Sequence, residues 1–392
     1  MDFRDTGEEA AFRSELRSWL DEHVPRMWPD GRLVGRPPED VHRQWSKALY
    51  DGGWVGLTWP TEYGGRDLSP TYQAIYLEEM ARSNAPEHLA VIGLNMAGPT
   101  ILAWGSDEQK KRLLPPLLAA DEIWCQGFSE PGSGSDLAAA RTRAVADGNS
   151  WVVNGQKVWS SYAHIADWCI LVVRTDPDAA KHAGLSFLLV DMHLPGVEVR
   201  PLRQITGDAE FNEIFFTDVR VPIDSMLGQP GDGWQVAMTT LLHERGTLGF
   251  ALTAALERLV TRLVELVREP APDGTRWADD PLVRDGVARE WVELQALRFT
   301  NYRSLTTLMQ RGVPGPEGSI AKLVWSEAAQ RIGKLALSVQ GMSSQLAGDD
   351  AVWNGYWQYQ QLRSRGNTIE AGTSEILRNI LAERVVGLPR SR

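Results

Sequence analysis

Apolar residues recur at helical spacing through the first 120 or so residues of the chain. They share predicted helix faces in two runs: Phe12, Leu16, Trp19 and Leu20, then Val41, Trp45 and Leu49. Residues three or four apart lie on one side of an α-helix, so this spacing predicts amphipathic helices. Ser69-Pro70 is typical of an N-cap followed by proline at the first helical position, and Ser106 with Gln109 has the spacing of a capping box. The first part of the chain is therefore predicted to be helical.

The pattern changes to short β-rich runs between about residues 123 and 221. These runs are Trp151–Val153, Ile170–Val173, Ser186–Val190 and Ile214–Phe216. Asp147-Gly148 and Asn154-Gly155 are dipeptides typical of hairpin turns. Strands joined by hairpins, with no helices between them, predict an antiparallel sheet or small barrel. The absence of a G-x-G-x-x-G sequence also counts against a dinucleotide-binding Rossmann domain.

Helical spacing returns at about Gly233. Predicted helices cover 234–268, 280–311, 317–346 and 350–364, with a last one after Gly372. The Pro- and Gly-rich stretches 269–274 and 312–318 are predicted connectors. The expected class is α+β, with three domains: an N-terminal helical domain (1–121), a middle antiparallel β-sheet or barrel domain (122–230) and a C-terminal four-helix bundle (231–392).

Length and charge narrow the possible functions. The 392 residues exceed the ~250–300 at which one hydrophobic core stops growing, which agrees with several domains. A net charge of −11 argues against nucleic acid or an anionic membrane as partner, because both need a basic face. The two cysteines form no metal-binding or disulfide pattern. The start of the chain has no apolar signal region and no run is long enough to span a membrane, so we expect a cytoplasmic location.

The segment Gly127–Asp136 (GFSEPGSGSD) combines three glycines and three hydroxyls around a Pro-Gly turn. Glycine allows the backbone to point several N–H groups at one ligand, and hydroxyls can donate or accept hydrogen bonds beside them. By composition alone, the segment is either a ligand-binding loop or an ordinary turn-rich loop.

The whole string resembles the signature of the acyl-CoA dehydrogenase family, which contains S/T-E-P-x-x-G-S-D. Further motifs of that family follow in order: Asn154–Trp159 (N-G-x-K-x-W), Phe216–Pro222 (FTDVRVP), Gly231–Trp234 (GDGW), Ala371–Ile376 (AGTSEI), Arg378 and Glu383-Arg384. The helix–sheet–helix order is also that of the family. This resemblance implies an FAD-dependent enzyme of lipid or fatty acid catabolism that removes two hydrogens from the α and β carbons of an acyl-CoA thioester. It further implies a homo- or heterotetramer that passes electrons to an electron-transferring flavoprotein.

The resemblance also implies roles for individual residues. The cofactor would be bound by Gln126, Phe128, Ser129, Gly134, Ser135, Trp159, Ser161, Gln340, Thr373 and Glu375. Ser135 would also lie near the CoA chain, and Arg245 could either contact a CoA phosphate or pair within the protein. An indole at 159 can stack on a flavin ring, and a hydroxyl at 161 can donate a hydrogen bond near N5. A core tryptophan in a hairpin is the alternative reading of Trp159.

Two glutamates compete for the role of base that removes the α-proton. Many family members carry the base directly before the C-terminal Gly-Thr, but this chain has Ala371 there and Glu370 one residue earlier. A one-residue shift moves a Cα by ~3.8 Å, far beyond what a catalytic site tolerates. Isovaleryl-type and long-chain members place the base on the first long helix after the sheet, where this chain has Glu244-Arg245. We therefore expect Glu244 to be the base, with Glu370 as the alternative.

Three departures from the family pattern leave other functions open. Gln126 replaces a common aromatic residue, Gly274–Asp279 stands where R-x-x-F-G is frequent, and Gln340–Ser344 lacks both glycines of Q-x-x-G-G. The last two positions concern the dinucleotide end of FAD. The chain could therefore be a flavin-poor partner subunit of a heteromeric dehydrogenase. An acyl-CoA oxidase is a second alternative, although oxidases usually have longer chains.

Overall fold

The computed structural model describes residues 4–27, 37–270, 274–311, 315 and 318–389, while the side chains of 26–27 and 243–247 lie outside that description. The N-terminal part is helical, as expected. Its helices are α1 (Gly7–Met27), α2 (Glu39–Asp51), α3 (Pro70–Arg82), α4 (Gly98–Trp104) and α5 (Asp107–Leu118). Helix α3 begins at Pro70 after Ser69, and α5 has the complete Ser106–Gln109 capping box. Both predicted helix starts are confirmed.

The middle of the chain forms one sheet. Its strands are β1 (Trp124–Gly127), β2 (Arg143–Asp147), β3 (Ser150–Ser161), β4 (Trp168–Arg174), β5 (Leu185–Asp191), β6 (Val197–Leu202), β7 (Phe211–Pro222) and β8 (Met226–Leu227). The strand order is β6-β7-β3-β2-β4-β5-β8, with β1 beside β4. Most neighbours are antiparallel, but β4 is parallel to β1 and, at one residue pair, to β2. The predicted α+β class is confirmed, and the sheet is mixed.

The two predicted hairpin signals have different outcomes. Asp147-Gly148 does lie at the turn between β2 and β3, where Gly148 has a φ of +61°. Asn154-Gly155 was wrong as a hairpin signal, because it lies inside β3 at a shift of register against β7. A Cβ at Gly155 would come within 2.7 Å of the Thr142 Cα, so glycine is needed there for close approach to another segment.

The C-terminal helices are α6 (Gly233–Arg268), α7 (Pro281–Arg311), α8 (Gly318–Gln340), α9 (Tyr356–Asn367) and the short α10 (Ser374–Ile380). Helix α8 ends earlier than predicted because Gly341 has a φ of +55°, and a 3-10 turn follows. Helix α9 begins later than predicted because Trp353 and Asn354 also have positive φ angles, which no α-helix accommodates. Four long helices and a short fifth one therefore make up this part.

The chain divides into two compact units. The helical unit contains the described residues of Met1–Pro37, Leu68–Pro86 and Arg245–Arg392, and the sheet unit contains Pro38–Asp67 and Glu87–Glu244. The core of the helical unit includes Leu256, Val260, Leu263, Ile332 and Trp357, and that of the sheet unit includes Cys125, Val153, Leu171, Val190 and Phe216. The domain boundaries at 121/122 and 230/231 stay predictions. In the part of the chain that the structure describes, no helix is long and apolar enough to cross a membrane.

A buried histidine in the sheet unit predicts how stability depends on pH. The Nδ1 atom of His88 accepts a hydrogen bond from the Ala90 N–H (3.1 Å), and the side chain is almost fully enclosed. Burial and the nearby His42 lower the pKa of His88 to about 3, so the folded protein keeps the ring neutral. An unfolded chain binds this proton near pH ~6.5. The free energy of unfolding should therefore fall by about 1.4 kcal/mol per pH unit as the pH drops from about 6 towards 3.

Denaturant unfolding of the wild type and His88→Gln at several pH values checks this prediction. The variant should show a shallower acid dependence than the wild type. His193→Gln is the matched control, because the His193 side chain is 72% exposed and its loss should leave the slope unchanged. Equal slopes for the wild type and His88→Gln would contradict the assignment.

Candidate active site

The site begins where β1 runs into the predicted ligand-binding loop. At Gly127, a Cβ would lie 2.6 Å from the Leu171 Cδ1 and 2.9 Å from the Cys169 Sγ, so only glycine lets the strand end approach its neighbour this closely. The next residue, Phe128, is buried and packs edge-on against Phe187, with ring centroids 5.7 Å apart. The start of the loop is thus held rigidly by the core.

A buried ion pair connects this loop to β3. The Lys157 Nζ donates to the Glu130 Oε1 (2.9 Å) and to the Phe128 backbone oxygen (3.1 Å). The Glu130 carboxylate also accepts the backbone N–H groups of Arg141 (2.7 Å) and Thr142 (2.8 Å). The side chains of Lys157 and Glu130 are 0% and 8% exposed. This network fixes the backbone on which the loop residues lie.

The ionisation of the pair follows from its surroundings. Burial alone would raise the pKa of Glu130, but the charge and hydrogen bond of Lys157 and the two backbone N–H groups outweigh it and lower that pKa. Burial lowers the pKa of Lys157, against the opposing charge of Glu130. Lys157 and Glu130 thus stabilise each other's charged forms at a site that is shielded from water. Lys157 entered the sequence analysis only as part of a motif, and the spacing of S-E-P and N-G-x-K is the signal that could have indicated this pair.

Trp159, on β3, has an unusual backbone conformation and an exposed side chain. It has a φ of +62°, at a point where the register of β3 against β7 shifts, and it is 59% exposed. A left-handed backbone at a bulky residue costs on the order of 1–3 kcal/mol, and such strain clusters at ligand sites. The indole meets Phe211 edge-on at 6.1 Å, and the neighbouring Val158 N–H donates to the Ser129 oxygen (2.9 Å). The alternative reading of a core tryptophan does not fit this exposure.

The remaining predicted residues of the sheet unit lie on the same loop and strands. Gln126 and Ser129 are half-buried, Gly134 and Ser135 are exposed, and Ser161 is half-buried two residues beyond Trp159. Ser133 was not among the predicted contacts, and its hydroxyl donates within the loop to the Asp136 oxygen (2.7 Å). The structure thus groups the predicted residues 126–135 with 159–161, through the Lys157–Glu130 pair and the Val158–Ser129 hydrogen bond.

The other predicted cofactor residues belong to the helical unit. Gln340 is buried at the end of α8, where its Nε2 donates to the Ala336 oxygen (3.1 Å) and its Oε1 has no partner among the described residues. The Thr373 hydroxyl caps α10 by accepting the Ile376 N–H (3.2 Å). Glu375 lies exposed in the first turn of that helix.

Of the two candidate bases, Glu370 has a described side chain and Glu244 does not. The Glu370 carboxylate forms an ion pair with Arg363 (3.0 Å), next to Ala371, which has a φ of +51°. Glu244 lies on α6, but its side chain and that of Arg245 are outside the described residues. One turn earlier on α6, Thr240 is fully buried and its hydroxyl is 2.8 Å from that of Thr100. Position 244 follows Thr240 by one turn of α6.

Three family models match the chain in the order of its domains. They are the N-terminal domain (residues 6–121), middle domain (125–219) and C-terminal domain (231–386) of acyl-CoA dehydrogenase. The chain belongs to the acyl-CoA dehydrogenase family. It is 43% identical to "Acyl-CoA dehydrogenase IpdE1" of Mycobacterium tuberculosis, over 97% of each chain.

Solved structures of this family share the fold. The "ChsE4-ChsE5 complex from Mycobacterium tuberculosis" matches with a TM-score of 0.86 and 32% identity over the full length of both chains. The "Tcur3481-Tcur3483 steroid ACAD" matches with a TM-score of 0.85 and 30% identity, again over both full lengths. The protein is thus an oxidoreductase acting on acyl-CoA, in a family that is generally FAD-dependent. Among the described residues, no group of histidine, cysteine and acidic side chains could hold a metal ion.

Proposed function

We propose that this protein catalyses the FAD-dependent α,β-dehydrogenation of an acyl-CoA thioester to the trans-2-enoyl-CoA. The observation that carries the proposal is the exposed Trp159 indole, held in a left-handed backbone conformation beside a loop that a buried ion pair anchors. An exposed aromatic face next to backbone and hydroxyl groups fits a planar, polar-edged ring such as isoalloxazine. This fit favours a flavin-binding enzyme over a flavin-poor partner subunit.

Residues of the loop and of β3 would have different roles towards the cofactor. Trp159 would pack on the ring, Phe128 and Ser129 would contact its polar edge, and Ser161 would donate a hydrogen bond near N5. When bound, FAD supplies the acceptor for the hydride that leaves the β carbon. Lys157 would act indirectly, because its bond to the Phe128 oxygen fixes the backbone at that edge. Gln126, Gly134, Ser135, Gln340, Thr373 and Glu375 complete the proposed set.

Glu244 would remove the α-proton of the substrate. A carboxylate does this well when burial raises its pKa towards the working pH, and Glu244 lies on α6 one turn beyond the buried Thr240. Glu370 is the weaker candidate, because its carboxylate already pairs with Arg363 (3.0 Å) and it lies one residue before the position at which many family members carry the base. Arg245 would contact CoA.

Substrate and partners follow from the relatives by analogy. One matched structure is described as a "steroid ACAD" and another as the "ChsE4-ChsE5 complex". We propose that the acyl group is bulky, in line with a helix-borne base, and that the enzyme forms a homo- or heterotetramer. Electrons would pass to an electron-transferring flavoprotein.

Anaerobic titration of the purified protein with a panel of acyl-CoA thioesters, followed by flavin absorbance, tests the proposal. The panel should contain short and long straight chains, branched chains and a ring-bearing side chain. The protein should be yellow and should bleach, most completely with the bulky thioesters. A colourless preparation would support the partner-subunit alternative instead, and rapid reoxidation of the bleached protein by oxygen would support an oxidase.

Replacing Trp159 by glycine separates a cofactor role from a packing role. Glycine adopts a positive φ without strain, so Trp159→Gly should unfold at the same temperature as the wild type or higher when both are flavin-free. Loss of the stacking surface should raise the FAD dissociation constant roughly two- to tenfold. Flavin fluorescence and thermal unfolding measure the two effects.

Trp151→Gly is the matched control in the same strand. Trp151 is buried in the core of the sheet unit, and its removal should cost about 3–5 kcal/mol of unfolding free energy. If Trp159→Gly is destabilised to a similar extent while its FAD affinity is unchanged, Trp159 has a packing role and the flavin assignment fails.

A further inference from the structure

Two residues with left-handed backbone lie close together at the end of β3. Trp159 has a φ of +62° and Tyr162 has a φ of +59°, and Ser161, a proposed flavin contact, lies between them. Such a conformation is strained at a residue other than glycine, and it persists only where the surrounding structure over-determines it. Specific contacts must therefore hold this stretch of backbone in place.

The side chain of Asn212, on β7, makes such contacts. It is fully buried and lies opposite Ser160 in the pairing of β3 with β7, next to the shift of register. Its Nδ2 donates to the backbone oxygens of Ser160 and Glu210, at 3.0 Å in both cases. The Glu210 oxygen also accepts the Tyr162 N–H (2.8 Å). One amide group is thus bonded to the residue that follows Trp159 and, through Glu210, connected to Tyr162.

The hydrogen-bond partners fix the orientation of the Asn212 amide. Its Nδ2 also lies 3.1 Å from the His164 Nδ1, which can accept when the ring proton is on Nε2. Its Oδ1 has no partner among the described residues. Turning the amide over would place Oδ1 against two backbone oxygens and lose both hydrogen bonds, so the donor side must face the backbone.

The position itself would suit an apolar residue. Ile214 and Phe216 follow Asn212 at alternate positions of β7, and both are buried on the same face of the strand. Asparagine is disfavoured in strands, and burying an amide costs free energy unless its hydrogen bonds are made. The backbone bonds of the amide therefore explain why asparagine occupies this place.

We propose that Asn212 is a positioning residue for the flavin site, whose amide holds the backbone of β3 so that Trp159 and Ser161 present their side chains to the ring. The inference deepens the proposed function and rests on it for the identity of the ligand. Asn212 is buried, so it would touch neither cofactor nor substrate. Its effect would pass through the two residues that contact the ring.

Asn212→Leu tests the proposal, because leucine is similar in size and suits a buried position but cannot donate to either oxygen. In the flavin-free protein, hydrogen exchange of the backbone N–H groups at 158–162 should become about tenfold faster. The FAD dissociation constant should rise about three- to thirtyfold, measured by flavin fluorescence well below the unfolding temperature. Asn212→Thr keeps a hydroxyl and favours a strand, so it should show both changes to a smaller extent. It carries the test if the leucine variant does not fold.

Asn301→Leu is the matched control, because it removes a similarly buried bridging amide from the helical unit. Asn301 is 3% exposed, and its Nδ2 donates to the Gly249 oxygen (2.7 Å) and to the Thr253 hydroxyl. Both leucine variants should unfold about 2–8 °C below the wild type. The control should leave the exchange at 158–162 and the FAD dissociation constant within about twofold of the wild type. Equal weakening of FAD binding by the two variants would mean that lost stability is the cause, and would overturn the inference.

A second background separates positioning from other effects of Asn212. In Trp159→Gly/Ser161→Ala, both side chains through which Asn212 acts are gone, so adding Asn212→Leu should change the FAD dissociation constant by less than about twofold. The same fold-change as in the wild-type background would contradict the proposal. If the wild type binds no FAD, the proposed function fails, but the exchange measurement still decides whether Asn212 holds the end of β3. Unchanged exchange in Asn212→Leu would overturn the inference by itself.

Discussion

Glu244→Gln should keep the yellow colour of the protein and lose its reduction by acyl-CoA. Glutamine has the shape of glutamate, but its amide cannot accept the α-proton, so the rate of flavin bleaching should fall by about 10²–10⁴-fold. Single-turnover stopped-flow absorbance under anaerobic conditions measures this rate directly. The FAD dissociation constant should stay close to that of the wild type, because the change removes a proton acceptor and leaves the proposed flavin contacts at 126–135 and 159–161 in place.

Glu370→Gln is the matched comparison, since it makes the same chemical change at the alternative position. Its main effect should be loss of the ion pair with Arg363, a modest cost of about 1 kcal/mol or less for a partly exposed pair. The bleaching rate should remain within about tenfold of the wild type, a difference of ~1.4 kcal/mol in the barrier. The opposite result, with rapid bleaching in Glu244→Gln and none in Glu370→Gln, would move the base to Glu370.

Lys157→Met should cost about 3–5 kcal/mol of unfolding free energy, because it leaves the Glu130 carboxylate buried without its counter-charge. The substitution also removes the donor to the Phe128 oxygen. Such a loss is a large fraction of the ~5–15 kcal/mol that stabilises a typical domain. Urea unfolding of the flavin-free protein measures it. The loop at the proposed flavin edge should loosen as well, so FAD affinity should fall together with stability.

Two further variants test whether breaking the Lys157–Glu130 ion pair causes the expected loss of unfolding free energy. Lys157→Met/Glu130→Gln removes both charges and should recover part of the stability lost in the single variant, since no unpaired charge remains. Lys181→Met breaks the exposed pair with Asp136, in which both side chains are more than half exposed, and should cost less than about 1 kcal/mol. Equal costs for Lys157→Met and Lys181→Met would contradict a special role for the buried pair.

Much of the fold could be predicted because local interactions decide it. The capping box at Ser106 and Gln109 and the turn at Asp147-Gly148 depend on hydrogen bonds and backbone angles within a few residues. The Asn154-Gly155 signal failed for a different reason. There glycine is required by the close approach of Thr142, which lies 13 positions earlier in the chain. A local sequence pattern cannot distinguish a glycine that forms a turn from one that leaves room for another segment of the chain.

The sequence by itself determined the order of helical and sheet segments, the family, and the loop and strand that carry the proposed flavin contacts. Spacing and motif are properties of the chain, so they need no coordinates. Only the tertiary structure decided that Trp159 is exposed and strained, that Lys157 and Glu130 form a buried pair, and that the Asn212 amide bonds to the backbone of β3. Lys157 and Glu130 are 27 positions apart in the chain, and a contact over such a separation is set by packing rather than by local pattern.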